Sequence, residues 1–143
     1  MATGVRKDPF RNSNFILEID GIEQAGFTEV TGMGVDIAVA EYQEGGHVTP
    51  RKLPGQVTYP NITLKWGLTD SRELYDWFRD VARGIVQRRD GSIILQDQTG
   101  TERARWNFEN AWPRMYRPGD MVAKSNDVAI ESLELVCEFL ERA

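Results

Sequence analysis

Residues 41–78, EYQEGGHVTPRKLPGQVTYPNITLKWGLTDSRELYDWF, decide how this chain folds. The stretch ends in a helix signal. Asp70 is a capping residue type, and Glu73 three positions on completes a capping box. Leu74, Trp77, Phe78, Val81 and Ile85 then recur at helical spacing, while Arg72, Asp76, Arg79, Asp80 and Arg83 fill the other faces. Gly84 lies near the helix end, and Gly91, after Arg88-Arg89-Asp90, is the definite stop. Upstream, Ile62, Leu64 and Trp66 alternate with Asn61, Thr63 and Lys65, so a strand is expected from Val57 to Trp66, with Pro60 placing it at an edge or at its own start. Before it comes a long Gly/Pro-punctuated loop, at about 43–57, containing Gly45, Gly46, His47, Val48, Thr49, Pro50, Arg51, Lys52, Leu53, Pro54 and Gly55. Structureless loops of this length are functional or disordered. Its strongly patterned flanks favour function, and the expectation is a docking arm that contacts a neighbouring molecule.

Strands dominate the rest of the chain. Phe15, Leu17 and Ile19 alternate with polar neighbours, Asp20-Gly21 is a tight-turn pair, and Ala25 to Val30 resumes as a second strand, so residues 14–30 read as a hairpin. After the break at Thr31-Gly32-Met33-Gly34, Val35, Ile37 and Val39 share one face of a third strand. Beyond the helix, Ser92 to Gln98 and Arg103 to Trp112 are strands, followed by a loop from Pro113 to Asp120. In Ala129 to Leu140, the residues Leu133, Leu135, Cys137 and Phe139 alternate as in a strand, while Ile130, Leu133, Cys137 and Leu140 would also fit a helix stripe. Residues 1–12 are polar and aperiodic, an N-terminal arm that needs a partner to become ordered. The remainder, residues 13–143, reads as one domain. The fold class is mainly β: an antiparallel sandwich or barrel of about seven strands with one packed α-helix. Open sheet edges in such a fold must be covered or used.

Composition narrows the function. The chain has 143 residues, a formal net charge of −5 and one cysteine. An acidic balance argues against a general nucleic-acid binder. One cysteine excludes an intrachain disulfide and a cysteine-based zinc cluster. The first residues lack the apolar core of a secretory signal, and no window is long and apolar enough to span a membrane. Synthesis in a cytoplasm without a signal peptide is therefore expected, with no membrane insertion by this chain alone.

No constellation of catalytic groups emerges. His47 is the only histidine, and it lies in the long loop, where a solvated side chain is the simpler reading than a triad member. The glycines around it lack the Gly-Lys-Ser/Thr and the following helix of a phosphate loop. Pairs such as Asp76 with Asp80 and Glu131 with Glu134 read as solvated acidic faces. Arg88 and Arg89 complement a helix C-terminus. Trp66, Trp77 and Trp106 fall on core faces, Trp112 is left without an assignment, and Cys137 reads as a small buried hydrophobe. No catalytic residue, cofactor or metal site is expected.

The segments NFILEIDGIEQAGFTEVTGM, EYQEGG, LPGQVTYPNITLKWGLTDSRELYDWF and IESLELVCEFLERA together resemble the tail tube protein family of contractile phages and of phage tail-like injection particles. The likeness runs from about residue 13 to the end and is most specific over residues 53–77. It implies a fold related to the type VI secretion tube protein and no catalytic role. It further implies hexameric rings joined edge to edge into a continuous barrel, stacked into a hollow tube inside a sheath. The implied partners are further copies of the chain, the contractile sheath protein, baseplate and spike hub proteins, and DNA or protein cargo in the lumen. The implied destination is a virion or a released extracellular injection particle.

Two other classes compete with this reading. One is a monomeric ligand-binding β-barrel with Trp112 or Tyr116 at a pocket mouth. The other is an enzyme working through carboxylates. Particle size separates the tube subunit from the monomeric barrel.

Overall fold

A computed structural model of the chain describes residues 14–20, 22–46, 48–67, 71–120 and 129–143. The N-terminal arm expected at residues 1–12, His47 and the Asp70 cap lie outside the described residues. Among those described, nine strands and one helix follow in the order β1 (Asn14–Ile19), β2 (Ile22–Thr31), β3 (Asp36–Tyr42), β4 (Arg51–Thr58), β5 (Ile62–Gly67), α1 (Glu73–Ala82), β6 (Arg89–Gln96), β7 (Glu102–Arg117), β8 (Ile130–Val136) and β9 (Phe139–Arg142).

Six strands close a barrel in the order β6-β1-β2-β5-β8-β7, with β7 pairing back onto β6. Every ladder is antiparallel. Period-two alternation is the cause of the core. Leu17 and Ile19 on β1, Ile62, Leu64 and Trp66 on β5, Ile93 on β6, Phe108 on β7, and Leu133 and Leu135 on β8 all bury inside. Gly91 makes room for this packing: a Cβ there would sit 2.5 Å from the Glu18 carbonyl oxygen and 2.7 Å from the Phe108 ring.

The long strand β7 is what links the two halves. Its first part pairs with β6, with Ala104 opposite Leu95 and Phe108 opposite Gly91. Its last part pairs with β8, with Trp112 opposite Val136. The chain turns at Asn110, which adopts φ 54°; asparagine tolerates this region better than most residues. The Asn110 amide donates to Asp90 Oδ1 at 2.9 Å and its side-chain amide donates to Glu138 Oε2 at 3.1 Å. The strand expected to stop at Trp112 therefore runs to Arg117, and the loop begins after it. Pro113, fully buried, is accommodated at a bulge between Pro113 and Met115.

Residues 130–142 form strands, which resolves the strand-or-helix alternative. The break at Cys137–Glu138 shifts the alternation by one residue, so Leu140 is buried in place of the expected Phe139. β9 runs along the same edge of β7 as β8, and Phe139 packs near Tyr59 with ring centroids 6.0 Å apart.

Helix α1 packs against β7 and inserts Leu74 and Trp77 into the core. It starts later than the capping-box reading implies: Arg72 is the N-cap and makes no side-chain capping bond. Its end is a Schellman arrangement. Gly84 at φ 91° donates to the Val81 carbonyl at 3.0 Å, and Ile85 donates to the Asp80 carbonyl at 2.8 Å. Ile85, expected on the buried stripe, lies beyond the helix and is exposed.

The largest correction concerns the loop at about 43–57. Among the described residues, 43–46 and 48–50 form a connection, while Arg51 to Thr58 are strand β4, paired with β3 in a separate two-stranded sheet. The strand expected from Val57 to Trp66 is thus the end of β4 and all of β5, interrupted at Tyr59-Pro60-Asn61. Sheet edges are also fewer than an open sandwich would leave. Closure through β6 and β7 seals the barrel, and among the described residues the outer edges of β3, β4 and β9 pair with no other strand.

Candidate assembly surfaces

The β3–β4 sheet projects from the barrel as an arm. β3 continues from β2, and β4 leads into β5, so the arm extends the β2–β5 ladder beyond Thr31 and Thr63. Its neck is tight. Gly32 has φ 85°, and a Cβ there would lie 2.1 Å from the Asn61 carbonyl oxygen. Only glycine permits both that dihedral and that approach.

Register assigns the two faces. Ile37 opposes Val57, Val39 opposes Pro54 and Glu41 opposes Lys52, so these residues share one face. The opposite face carries Asp36 with Thr58, Ala40 with Leu53 and Tyr42 with Arg51. A bulge between Ile37 and Val39 falls at Gly55, where a Cβ would approach the Ala38 carbonyl oxygen to 3.0 Å. All fifteen residues of the two strands are exposed, as the seven of β3 and eight of β4 show. Ile37 is 56% and Val39 64% exposed. A free two-stranded hairpin is marginal in water, and contiguous exposed aliphatics mark an interaction site.

The sequence-predicted contact residues map onto this arm. Gly45 and Gly46 make its turn, Gly46 at φ 96°. Val48, at 97% exposure, stands at the tip with Thr49 and Pro50. Arg51, Lys52, Leu53, Pro54 and Gly55 lie in β4, and Arg51 pairs with Glu44 at 3.4 Å. His47 is outside the described residues. The loop reading missed the other half of the surface, Ile37, Val39 and Val57. Their alternation was visible, but it is the same alternation a core strand shows.

A second exposed apolar feature follows α1. Ile85 and Val86 are 56% and 54% exposed. They are held firmly: the Trp77 indole N–H donates to the Gln87 carbonyl at 2.8 Å, and Arg88 lies 3.8 Å from Glu138.

The barrel end near α1 is filled. The Tyr116 hydroxyl donates to Glu131 Oε2 at 2.5 Å, and Glu131 is buried. Burial, followed by the Glu131 contact, pushes the Tyr116 hydroxyl up to about 12. Tyr75 and Phe78 close over the same ring at centroid distances of 5.0 and 6.0 Å. Tyr116 is therefore part of the packing between helix and barrel and does not frame a pocket mouth. Trp112 is half-buried opposite Val136. Burial pushes the Cys137 thiol up, as expected of a packed hydrophobe.

Elsewhere the polar groups serve structure. Asp97 organises the β6–β7 turn: it accepts from the Thr99 hydroxyl at 2.6 Å, from the Thr101 amide at 3.0 Å and from Arg103 Nε at 2.8 Å. These bonds, led by that from Thr99, hold its carboxyl down at about 2. Arg114 pairs with Glu134 across β7 and β8. Among the described residues no helix is long and apolar enough to cross a membrane.

A family model described as T4-like virus tail tube protein gp19 matches residues 11–141. Among solved structures, the chain is similar to one in the sheath–tube complex of PVC, an extracellular contractile injection system, in its extended state. Identity there is 28%, coverage 94% of this chain and 91% of that one, and the TM-score 0.82. A chain of the PVC sheath/tube terminator, also extended, matches at 28% identity over 99% of both chains with a TM-score of 0.81. Hcp1 from Flavobacterium johnsoniae shares the fold at 17% identity, covering 90% of this chain and 94% of that one, with a TM-score of 0.57. No curated protein sequence matches the chain.

Proposed function

This chain belongs to the T4-like virus tail tube protein family, and from that premise we propose that its copies form hexameric rings stacked into a hollow tube, which a contracting sheath drives through a target envelope. It is a structural tube protein of the contractile injection type and not an enzyme. The observation that carries the assembly reading is the β3–β4 arm, whose two faces are solvated although one bears Ile37, Val39 and Val57. A closed barrel gains nothing from such an arm in isolation. A neighbouring copy, in the same ring or the next, would bury it, and the tip from Gly45 to Pro50 would reach that neighbour first.

The relatives support a sheath and a baseplate as partners. The similar PVC chain lies in a sheath–tube complex, and a further similar chain, at 24% identity, lies in the baseplate of the anti-feeding prophage particle. We place this chain against a sheath on its outer side and against baseplate and hub proteins at one end, with DNA or protein cargo passing through the lumen. The assembled tube would be part of a virion or an extracellular injection particle.

Negative-stain microscopy of the purified protein tests the reading. Rings or tubes with a central hole are the expected result. A particle that stays monomeric at high concentration would overturn it.

A further inference from the structure

We propose that Phe139 is a positioning residue for assembly: its ring packs on Tyr59 at the root of the arm and sets the direction in which the β3–β4 arm leaves the barrel. The inference rests on the tube reading and names a residue that serves the arm without belonging to it. No strand pairing among the described residues ties the arm to the barrel. Two connections carry it, residues 32–35 and Tyr59-Pro60-Asn61. They meet where Gly32 crowds the Asn61 carbonyl, and one meeting point does not fix an angle. Side chains at the root supply the rest. Met33 and Tyr59, one on each connection, pack against the core. The Tyr59 ring centroid also lies 6.0 Å from that of Phe139, within the range of an attractive aromatic pair.

A break in alternation is what puts Phe139 there. Leu133, Leu135 and Cys137 are buried at every second position, but the next buried residue is Leu140. Had the period of two continued, Phe139 would lie in the core and Tyr59 would lose its partner. The break is pinned: the Glu138 amide donates to the Glu109 carbonyl at 3.1 Å, and the Asn110 side-chain amide donates to Glu138 Oε2 at 3.1 Å. Phe139 therefore stands on a fixed strand, opposite Glu109 of β7, and the root of the arm leans on it. An arm held in one direction before contact loses less freedom on binding than one that swings.

Distances between two spin labels test this in unassembled protein. The labels sit at Val39→Cys, exposed on the arm, and Gln98→Cys, exposed in the β6–β7 turn, with Cys137→Ala throughout. The expected result is one narrow distance distribution, about doubled in width by Phe139→Ala or by Tyr59→Ala and kept narrow by Phe139→Tyr. Leu140→Ala, on the same strand but facing the core, should lower the urea midpoint and leave the width unchanged, which separates positioning from general loss of stability. In the unlabelled chain, Phe139→Ala should raise the lowest concentration that yields tubes by about tenfold or more, and Phe139→Tyr should leave it near the unaltered value. A broad distribution in the reference chain, or an unchanged width in a folded Phe139→Ala or Tyr59→Ala variant, overturns the role of Phe139 and leaves the tube reading standing. Equal tube yield from a variant whose distribution has broadened overturns the link to assembly. An unaltered protein that forms no tubes overturns the tube reading, while the width comparison still decides whether Phe139 directs the arm.

Discussion

The Trp77 indole N–H donates to the Gln87 carbonyl at 2.8 Å, tying the buried face of α1 to the segment that leads into β6. Trp77 is 2% exposed, and the Arg89 guanidinium lies 5.5 Å above its ring. One side chain therefore fills the barrel end and fixes the exposed Ile85–Val86 pair. Trp77→Ala should cost about 3–5 kcal/mol by emptying core volume. Urea unfolding checks it, and an unchanged midpoint would remove the helix from the core.

Two glycines of one connection should respond in opposite ways. Gly32→Ala forces a left-handed dihedral on alanine and drives a Cβ into the Asn61 carbonyl, so it should lose at least about 1–3 kcal/mol. A Cβ at Gly34 meets nothing within 4 Å, and its dihedral is ordinary. Gly34→Ala should be neutral or gain about 0.4–1 kcal/mol by restricting the unfolded chain. Thermal unfolding of the pair is the measurement, and equal shifts would contradict the neck geometry.

The Tyr116 hydroxyl should ionise at about 12 in an ultraviolet titration of the folded protein. Its folded value lies above its ordinary value of 10. Its contribution to stability is thus complete below pH 10 and is lost as pH rises through about 12. Tyr116→Phe should flatten that alkaline loss. At neutral pH it should cost about 1–3 kcal/mol, because buried Glu131 loses its donor.

Asp97 behaves in the reverse sense. Its folded value, about 2, is below the ordinary 3.8, so its stabilisation is present above pH 3.8 and lost as pH falls through about 2. A carboxyl-detected NMR titration should place its midpoint near that lower value. Thr99→Val should raise it by removing the leading hydrogen bond. An Asp97 midpoint at the ordinary value would show that the turn is not closed in solution.

Replacing residues 36–58 by a short glycine linker should leave a folded barrel, since none of the core residues comes from the arm. The variant should give monomers in sedimentation and no tubes by microscopy. Tubes of normal length would remove the arm from assembly.

Much of the barrel was legible in consecutive residues. The alternations Phe15/Leu17/Ile19 and Ile62/Leu64/Trp66, and the stripe Leu74/Trp77, each state a period that local backbone geometry imposes. β4 was not legible. Leu53-Pro54-Gly55 carries turn chemistry, and it becomes strand because β3 supplies a pairing edge and the Gly55 bulge absorbs the irregularity. The proposed contact residues followed the same division. Gly45 to Gly55 stood out by their loop composition, while Ile37, Val39 and Val57 looked like core.

By itself, the sequence determined the strand and helix periods, because these depend on residue types and short-range spacing. Only the tertiary structure decided that β6 and β7 close the barrel and that the β3–β4 faces stay in water. An aliphatic residue has the same side chain in either place. Whether it is buried depends on which distant strand pairs beside it, and that is set by how the whole chain packs.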